Sequence, residues 1–421
     1  MLSSIQYAFA SASLLSGVFA LPAPVPASGT LSEPSLAFAS ATGTATGSYG
    51  NAATLVAQSF PDLSAADLKQ VELLAHGTEP NSPPPPTLSQ QGGVNLQFIE
   101  FNENFEVAFF SSFINNITSN VPGFEVEDPA EKDFIVNALT AHLNQEIEHA
   151  FNARSALKAF GRTVINPCKY KFPTTNGEDA TKLAKTFTDV TLGTLQDVIV
   201  IFSNNGDNAL TGLVASVVGQ EGEQNGFYRI LENDNLVPAA LPFLTASTRD
   251  FAFTALQAFI DGPCPATDIL KADGLKLFGT LNLLTSNIEP KDQELQFSFD
   301  IASLKNSANL DFQTLISKAP SNYASQYQGW SSGNYGNMGS FNWANSGLFL
   351  TYINQQNLPI SVPIENAKLS GSVVTFNANF PFTENLLNSL TIAAVTIGQN
   401  FTSANDVAAH ALFAPALIEV N

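Results

Sequence analysis

Glu146 and His149 stand three residues apart in Glu146-Ile147-Glu148-His149, at positions where the surrounding sequence calls for apolar side chains. Steps of four and three residues give Ile135, Leu139, His142, Glu146, His149, Ala153, Ala156 and Phe160, the seam of a helix packed in a bundle. A carboxylate on such a seam is costly unless it is paired, protonated or bound to a cation. Inward-facing Glu-x-x-His is the pattern by which helical bundles hold two metal ions between carboxylates and imidazoles. Partners must then come from neighbouring helices.

Four further helices follow from periodicity and end signals. Over 94–118 the seam runs Leu96, Ile99, Glu103, Glu106, Phe110, Phe113, Ile117, again with carboxylates inside it. Phe98, Phe101, Phe105 and Ala108 form a rival stripe, which leaves open which face points inward or whether both are buried. The helix carrying Glu146 opens at Asp128-Pro129-Ala130-Glu131 and closes before Gly161. A third, 178–204, has Leu192, Leu195, Ile199 and Phe202 on one side with Asp189, Gln196 and Asp197 around it, and ends at Asn204-Asn205-Gly206. The fourth, 208–232, has the seam Leu210, Val214, Val217, Glu221, Gln224, Tyr228, Leu231, in which Glu221 and Gln224 repeat the spacing of Glu146 and His149. Gly219, Gly222 and Gly226 share another stripe, expected to admit a neighbouring backbone. The fifth is capped by Ser247 or Thr248 and ends at Asp261-Gly262-Pro263.

The candidate metal ligands are therefore Glu103 or Glu106, Glu146 with His149, Asp189, Glu221 and Gln224, ordered along four helices as a two-metal carboxylate centre requires. Oxygen and imidazole donors of this kind suit iron or manganese.

The 421 residues suffice for two or three domains, and with 44% hydrophobic residues the chain is globular. A formal net charge of −20 leaves no basic surface for phosphates, which disfavours nucleic acid as a partner. Residues 1–20 carry an apolar stretch ending in Val18-Phe19-Ala20, the form of a cleaved secretory signal, and no later segment is long and apolar enough to span a membrane. Residues 21–93 form a low-charge leader to about Ser59, a short helix from Ser64 to about His76, and a proline-rich linker at Pro83–Pro86. The bundle occupies 94–262. From 266 to 421 short alternating runs (293–301, 348–353, 369–380, 390–397, 412–420) predict a β-rich domain, sandwich-like, with a long Ser/Gly/Asn/Tyr loop over 331–345. The fold class is thus α+β.

Cys168 and Cys264, the chain's two cysteines, each follow a predicted helix in a turn-forming setting and are expected to pair in an oxidising compartment. The alternative, a thiol metal or catalytic site, is disfavoured because no His accompanies either one closely in sequence. Asn116-Ile117-Thr118 and Asn400-Phe401-Thr402 are glycosylation sequons, which suit secretion.

Four segments carry a resemblance: Asn102 to Phe110, the helix of Glu146 and His149, Thr186 to Asp197, and Gly219 to Gln224. With Arg249 to Gln257, both cysteines and the closing Leu417-Ile418-Glu419-Val420-Asn421, they resemble the secreted ferritin-like proteins of fungi known as late sexual development proteins. The resemblance implies a ferritin-like helical domain, secretion and a link with fungal development or stress, but no reaction. Against metal-binding ferritin-like proteins this chain departs at Gln224, where His is expected, and at Asp189, where Glu is expected. An amide is a weak ligand. His142, one turn before Glu146, is the nearest substitute.

Two readings of the constellation compete. In the favoured one the site is degenerate: its carboxylates, His149 and Gln224 form a satisfied polar network that fixes helix register, and the protein is structural, with cell wall or extracellular matrix as partner. In the other the bundle binds iron or manganese as an oxidase-like or storage protein. A hydrolase is discounted because the carboxylates lie on helix seams. Gly329-Trp330-Ser331-Ser332-Gly333 lacks the strand and helix that a nucleophile elbow needs.

Overall fold

Residues 60–232, 236–321, 327, 330 and 342–420 are described by the computed structural model. The leader 1–20, the arm 21–59, loop residues 331–341 and all but Trp330 of Gly329–Gly333 lie outside the described residues.

Helices dominate up to residue 272. α1 (Ala65–Ala75) opens on a capping box in which Ser64 and Asp67 satisfy each other's backbone N–H groups. α2 (Gln90–Thr118) begins before position 94 because Ser89 caps the Gly92 N–H and is held in turn by Asp207. α3 (Pro129–Ala159) has the Asp128 cap and first-turn proline that its sequence spells out. α4 (Gly177–Asn204) is followed by a 3-10 turn (Asn208–Leu210) and α5 (Thr211–Glu232).

These four long helices pack α2 on α3, α4 on α5 and α2 on α4. α2 is buried on both faces, which settles the question its two stripes raised. One stripe brings Glu103, Glu106 and Phe110 inward. On the other, Phe105 makes ring contacts with Tyr170, Phe172, Phe187 and Phe259 at 5.2–5.8 Å. Each such buried ring contributes roughly 1.5–3 kcal/mol.

Thr248 caps α6 (Arg249–Leu256), and a 3-10 turn (Gln257–Phe259) completes the expected fifth helix. The strand texture expected from residue 266 begins later. Pro265–Ala272 is a helix, α7, whose Ala266 and Leu270 enter the bundle core. Cys168 and Cys264 are joined in a disulfide with Cα atoms 5.3 Å apart, linking the segment after α3 to the start of α7.

The remainder is two four-stranded antiparallel sheets. Its elements are β1 (Leu281–Leu283), β2 (Gln293–Asp300), a short helix α8 (Phe312–Ser317), β3 (Leu348–Asn354), β4 (Ile360–Pro363), β5 (Glu365–Ser370) and β6 (Val373–Phe380). A one-turn helix α9 (Phe382–Asn385), β7 (Ser389–Ile397), α10 (Ala404–His410) and β8 (Ala411–Val420) complete the chain. The sheet orders are β1-β2-β6-β5 and β4-β3-β7-β8. The run 369–380, read as one strand, is a hairpin turning at Gly371, whose φ of +64° suits glycine.

The two sheets meet through rings such as Phe299 and Phe413, 4.3 Å apart. The second sheet is covered on its other face as well. Leu390, Ile392 and Ala394 of β7 pack into the bundle core while Ala393, Val395 and Ile397 face the sandwich. Every residue of β7 is buried, as in a strand covered on both faces. The helical region and the antiparallel sheets thus share a packed boundary.

Candidate metal centre

Three helices bring four side chains to one point. α2 supplies Glu103, α3 supplies Glu146 and His149, and α5 supplies Glu221. One ligand atom from each lies within 4.8 Å of all the others. The sequence dictates this because each residue sits on its helix's inward seam, where burial is nearly complete: Glu103 is 1% exposed, Glu146 and Glu221 0%. His149 retains 16% of its side-chain surface.

Within the group, His149 Nδ1 lies 2.8 Å from Glu146 Oε2 and 3.7 Å from Glu103 Oε2. Glu106, one turn further along α2, accepts hydrogen bonds from Asn102 Nδ2 (2.8 Å) and Thr191 Oγ1 (3.0 Å) on a single oxygen. The expected satisfied network is not what forms. Glu103 Oε2, Glu106 Oε2 and both carboxylate oxygens of Glu221 are buried without a hydrogen-bond partner. Leaving such atoms unpaired costs about 1–3 kcal/mol each, more when charged.

Burial and mutual repulsion set the protonation. Burial lifts Glu106 and Glu221 well above the usual carboxylate range, and the neighbouring carboxylates push them further. Burial raises Glu103 to about 7 against the opposing pull of His149. Burial would lower His149, but Glu146 and Glu103 outweigh it and hold the imidazole well above its ordinary value. Without a cation, Glu103, Glu106 and Glu221 therefore hold protons more tightly than ordinary carboxyls, and His149 more tightly than an ordinary imidazole.

Gln224 and Asp189 behave differently from the ligands expected at their positions. Gln224 is buried and points its amide nitrogen at Glu146 Oε1 (2.6 Å) and Gln145 Oε1 (3.0 Å), so it positions Glu146. Asp189 does not join the cluster. Its oxygens accept from Asn225 Nδ2 (2.8 Å) and, across to the sheet, Ser389 Oγ (3.4 Å). Burial raises its carboxyl to about 6, with Arg229 and Lys185 opposing. α4 instead turns Thr191 toward Glu106. His142 does not substitute for an imidazole at Gln224, since its Nδ1 pairs with Tyr228 OH at 2.9 Å and burial lowers it to about 4.

Sequence reasoning missed Thr191, Asn102 and Gln145 as positioning groups. The signal for Thr191 was present: it stands one residue before Leu192, and its stripe mate Thr188 is also fully buried. Two threonines on an inward stripe mirror the paired Glu103 and Glu106 of α2.

A four-helix bundle with inward carboxylates and a Glu-x-x-His pair defines a ferritin-like arrangement. Residues 95–234 match the family model of the ferritin-like domain, a span that takes in nearly all of α2 and the whole of α3, α4 and α5. No curated protein matches the chain. The donor set fits a hard or borderline divalent cation: carboxylates and one imidazole converge, unpartnered oxygens are buried at the centre, and both cysteines are in the disulfide.

Proposed function

We propose that this is a secreted ferritin-like protein whose bundle binds iron or manganese through Glu103, Glu146, His149 and Glu221, with Glu106 beside them. One observation carries the reading: four carboxylate oxygens from three residues are buried in the same place without hydrogen-bond partners. A cation relieves that deficit. A degenerate network would have been expected to satisfy its own members. Gln224 held against Glu146, and Asp189 turned away toward the sheet, make the centre asymmetric and favour one strongly held ion over two. When bound, iron or manganese would supply Lewis acidity and redox capacity. The chain's own groups would orient the ligands, Gln224 through Glu146 and Thr191 through Glu106.

Secretion is supported by the leader-like residues 1–20 and by the disulfide, which suits an oxidising compartment. Among the described residues no helix is long and apolar enough to cross a membrane. Asn400 is exposed in a turn after β7, which supports a glycan there; Asn116 is half-buried in the last turn of α2. The resemblance to late sexual development proteins supports a role in fungal development or stress, with contacts to the cell wall or extracellular matrix.

The test is elemental analysis of the full-length protein expressed without chelator. About one equivalent of iron or manganese per chain is expected, falling to background in Glu221→Ala with the fold retained by circular dichroism. Background metal in the natural protein would return the site to the degenerate reading.

A further inference from the structure

A chain of hydrogen bonds reaches the cluster through Gln224. Tyr228, one turn further along α5, is wholly buried, with its ring stacked on Phe110. Its hydroxyl lies 2.9 Å from His142 Nδ1 on α3 and 3.4 Å from Gln224 Oε1. These two neighbours differ in kind. An amide oxygen only accepts, whereas an imidazole nitrogen accepts or donates according to its tautomer. Tyr228 has one proton to give, so both contacts are satisfied only when His142 Nδ1–H donates to Tyr228 and Tyr228 donates to Gln224.

The nitrogen end of the same amide is matched atom for atom. Its two N–H bonds meet two acceptors, Glu146 Oε1 at 2.6 Å and Gln145 Oε1 at 3.0 Å. Gln145 is itself held in one orientation, because its Oε1 also accepts from Gln220 Nε2 (2.8 Å) and its Nε2 donates to the Ala75 carbonyl (3.3 Å) at the end of α1. Turned end for end, Gln224 would set its oxygen against that fixed Gln145 oxygen. At 2% exposure it has no water to make good the loss.

We propose that Tyr228 is a positioning residue for the metal centre: by holding Gln224 in this orientation it keeps Glu146 Oε1 hydrogen-bonded and leaves Glu146 Oε2, the oxygen beside His149, for the cation. Tyr228 acts through Gln224 and Glu146 and is not itself a ligand. The inference rests on the metal-binding reading, and the experiment separates the failure of one from that of the other.

Manganese is titrated calorimetrically into the chelator-stripped full-length protein and into Tyr228→Phe, Gln224→Met, the double variant and Phe113→Leu. The last loosens the bundle core where Phe113 packs on Phe109 and Phe124. Tyr228→Phe removes only the hydroxyl and should weaken manganese binding about tenfold or more, as the loss of a group that orients a ligand does. Gln224→Met should do the same. The double variant should be no weaker than Gln224→Met, because the hydroxyl then has nothing to act on. The electron paramagnetic resonance spectrum of the bound manganese should change in Tyr228→Phe and stay unchanged in Phe113→Leu, although that variant also melts earlier. Neutron diffraction from crystals of the natural protein decides without any variant: deuterium is expected on His142 Nδ1 and, on the Tyr228 oxygen, directed at Gln224. Deuterium on Tyr228 directed at a bare His142 Nδ1 overturns the inference. So does unchanged affinity in Tyr228→Phe, or a further loss in the double variant, and either leaves the metal reading standing. No manganese binding by the natural protein overturns the metal reading and this inference with it.

Discussion

Glu146, His149 and Glu221 were legible as a site because ionisable residues on a helix seam conflict with the apolar pattern around them, and the structure brings all three together. Asp189 was misplaced for a physical reason. α4 is amphipathic over most of its turns, and only two positions separate Thr191, which reaches Glu106, from Asp189, which faces Asn225 and the sheet. At this scale two outcomes are expected. In chelator-treated protein, Glu103, Glu106 and Glu221 bind protons more tightly folded than unfolded. Their stabilisation is full below about pH 4.5 and is lost as pH rises through their folded values. His149, also raised, adds to the loss above about pH 6.5, while His142, lowered to about 4, opposes it only between about pH 4 and 6.5. Urea midpoints should therefore fall from pH 5 to 8, and a flat profile would contradict the buried-carboxyl account. The second outcome concerns Gln224→His. It adds the missing imidazole, and manganese affinity measured by titration should rise by about tenfold or more; an unchanged affinity would show that the position faces away from the ion.

At the scale of elements, caps and periodicity located the helices well, since Asp128, Thr248 and Ser64 each cap as their sequences suggest. Strands were legible where one or both faces are apolar. The short β1, β4 and β5 were not, because three to six residues with mixed polarity carry little period. Glycines show the limit of pattern reading. Gly219 and Gly222 were expected to admit a neighbouring backbone, yet a Cβ at either would meet nothing within 4 Å. Gly226 has Pro238 at 3.5 Å, an ordinary contact. The close approach is at Gly193, where a Cβ would stand 2.2 Å from the Thr245 carbonyl oxygen as the chain passes from α5 toward α6. Gly219→Ala and Gly222→Ala should therefore each stabilise the protein by up to about 1 kcal/mol. Gly193→Ala should destabilise it by more than that, because backbone must move. Denaturant midpoints of the three variants settle both signs.

At the scale of the molecule, the sequence separated helices from strands but not how they join. Thr245 Oγ1 donates to the Leu390 carbonyl (2.7 Å), the Ala246 N–H to the Gln355 carbonyl (3.0 Å), and Asn405 Nδ2 to Asp197 Oδ1 (2.9 Å). These bonds lie between residues about 110–210 positions apart, beyond the reach of local pattern. The disulfide was legible because two cysteines have one pairing. It spans 96 residues, and the chain-entropy account values it at about 4–5 kcal/mol. Replacing both cysteines by serine should lower stability by that order, and a loss under about 1 kcal/mol would mean that α7 is held by its packing alone.

The central claim is that Glu103, Glu146, His149 and Glu221 hold one cation. Anomalous scattering at the manganese edge, from crystals of the full-length protein grown with manganese, tests it most directly. The account expects a single strong peak among those four side chains, absent in Glu221→Ala. Crystals with full manganese exposure and no peak there, or a peak confined to Glu79 and Glu148, would contradict it.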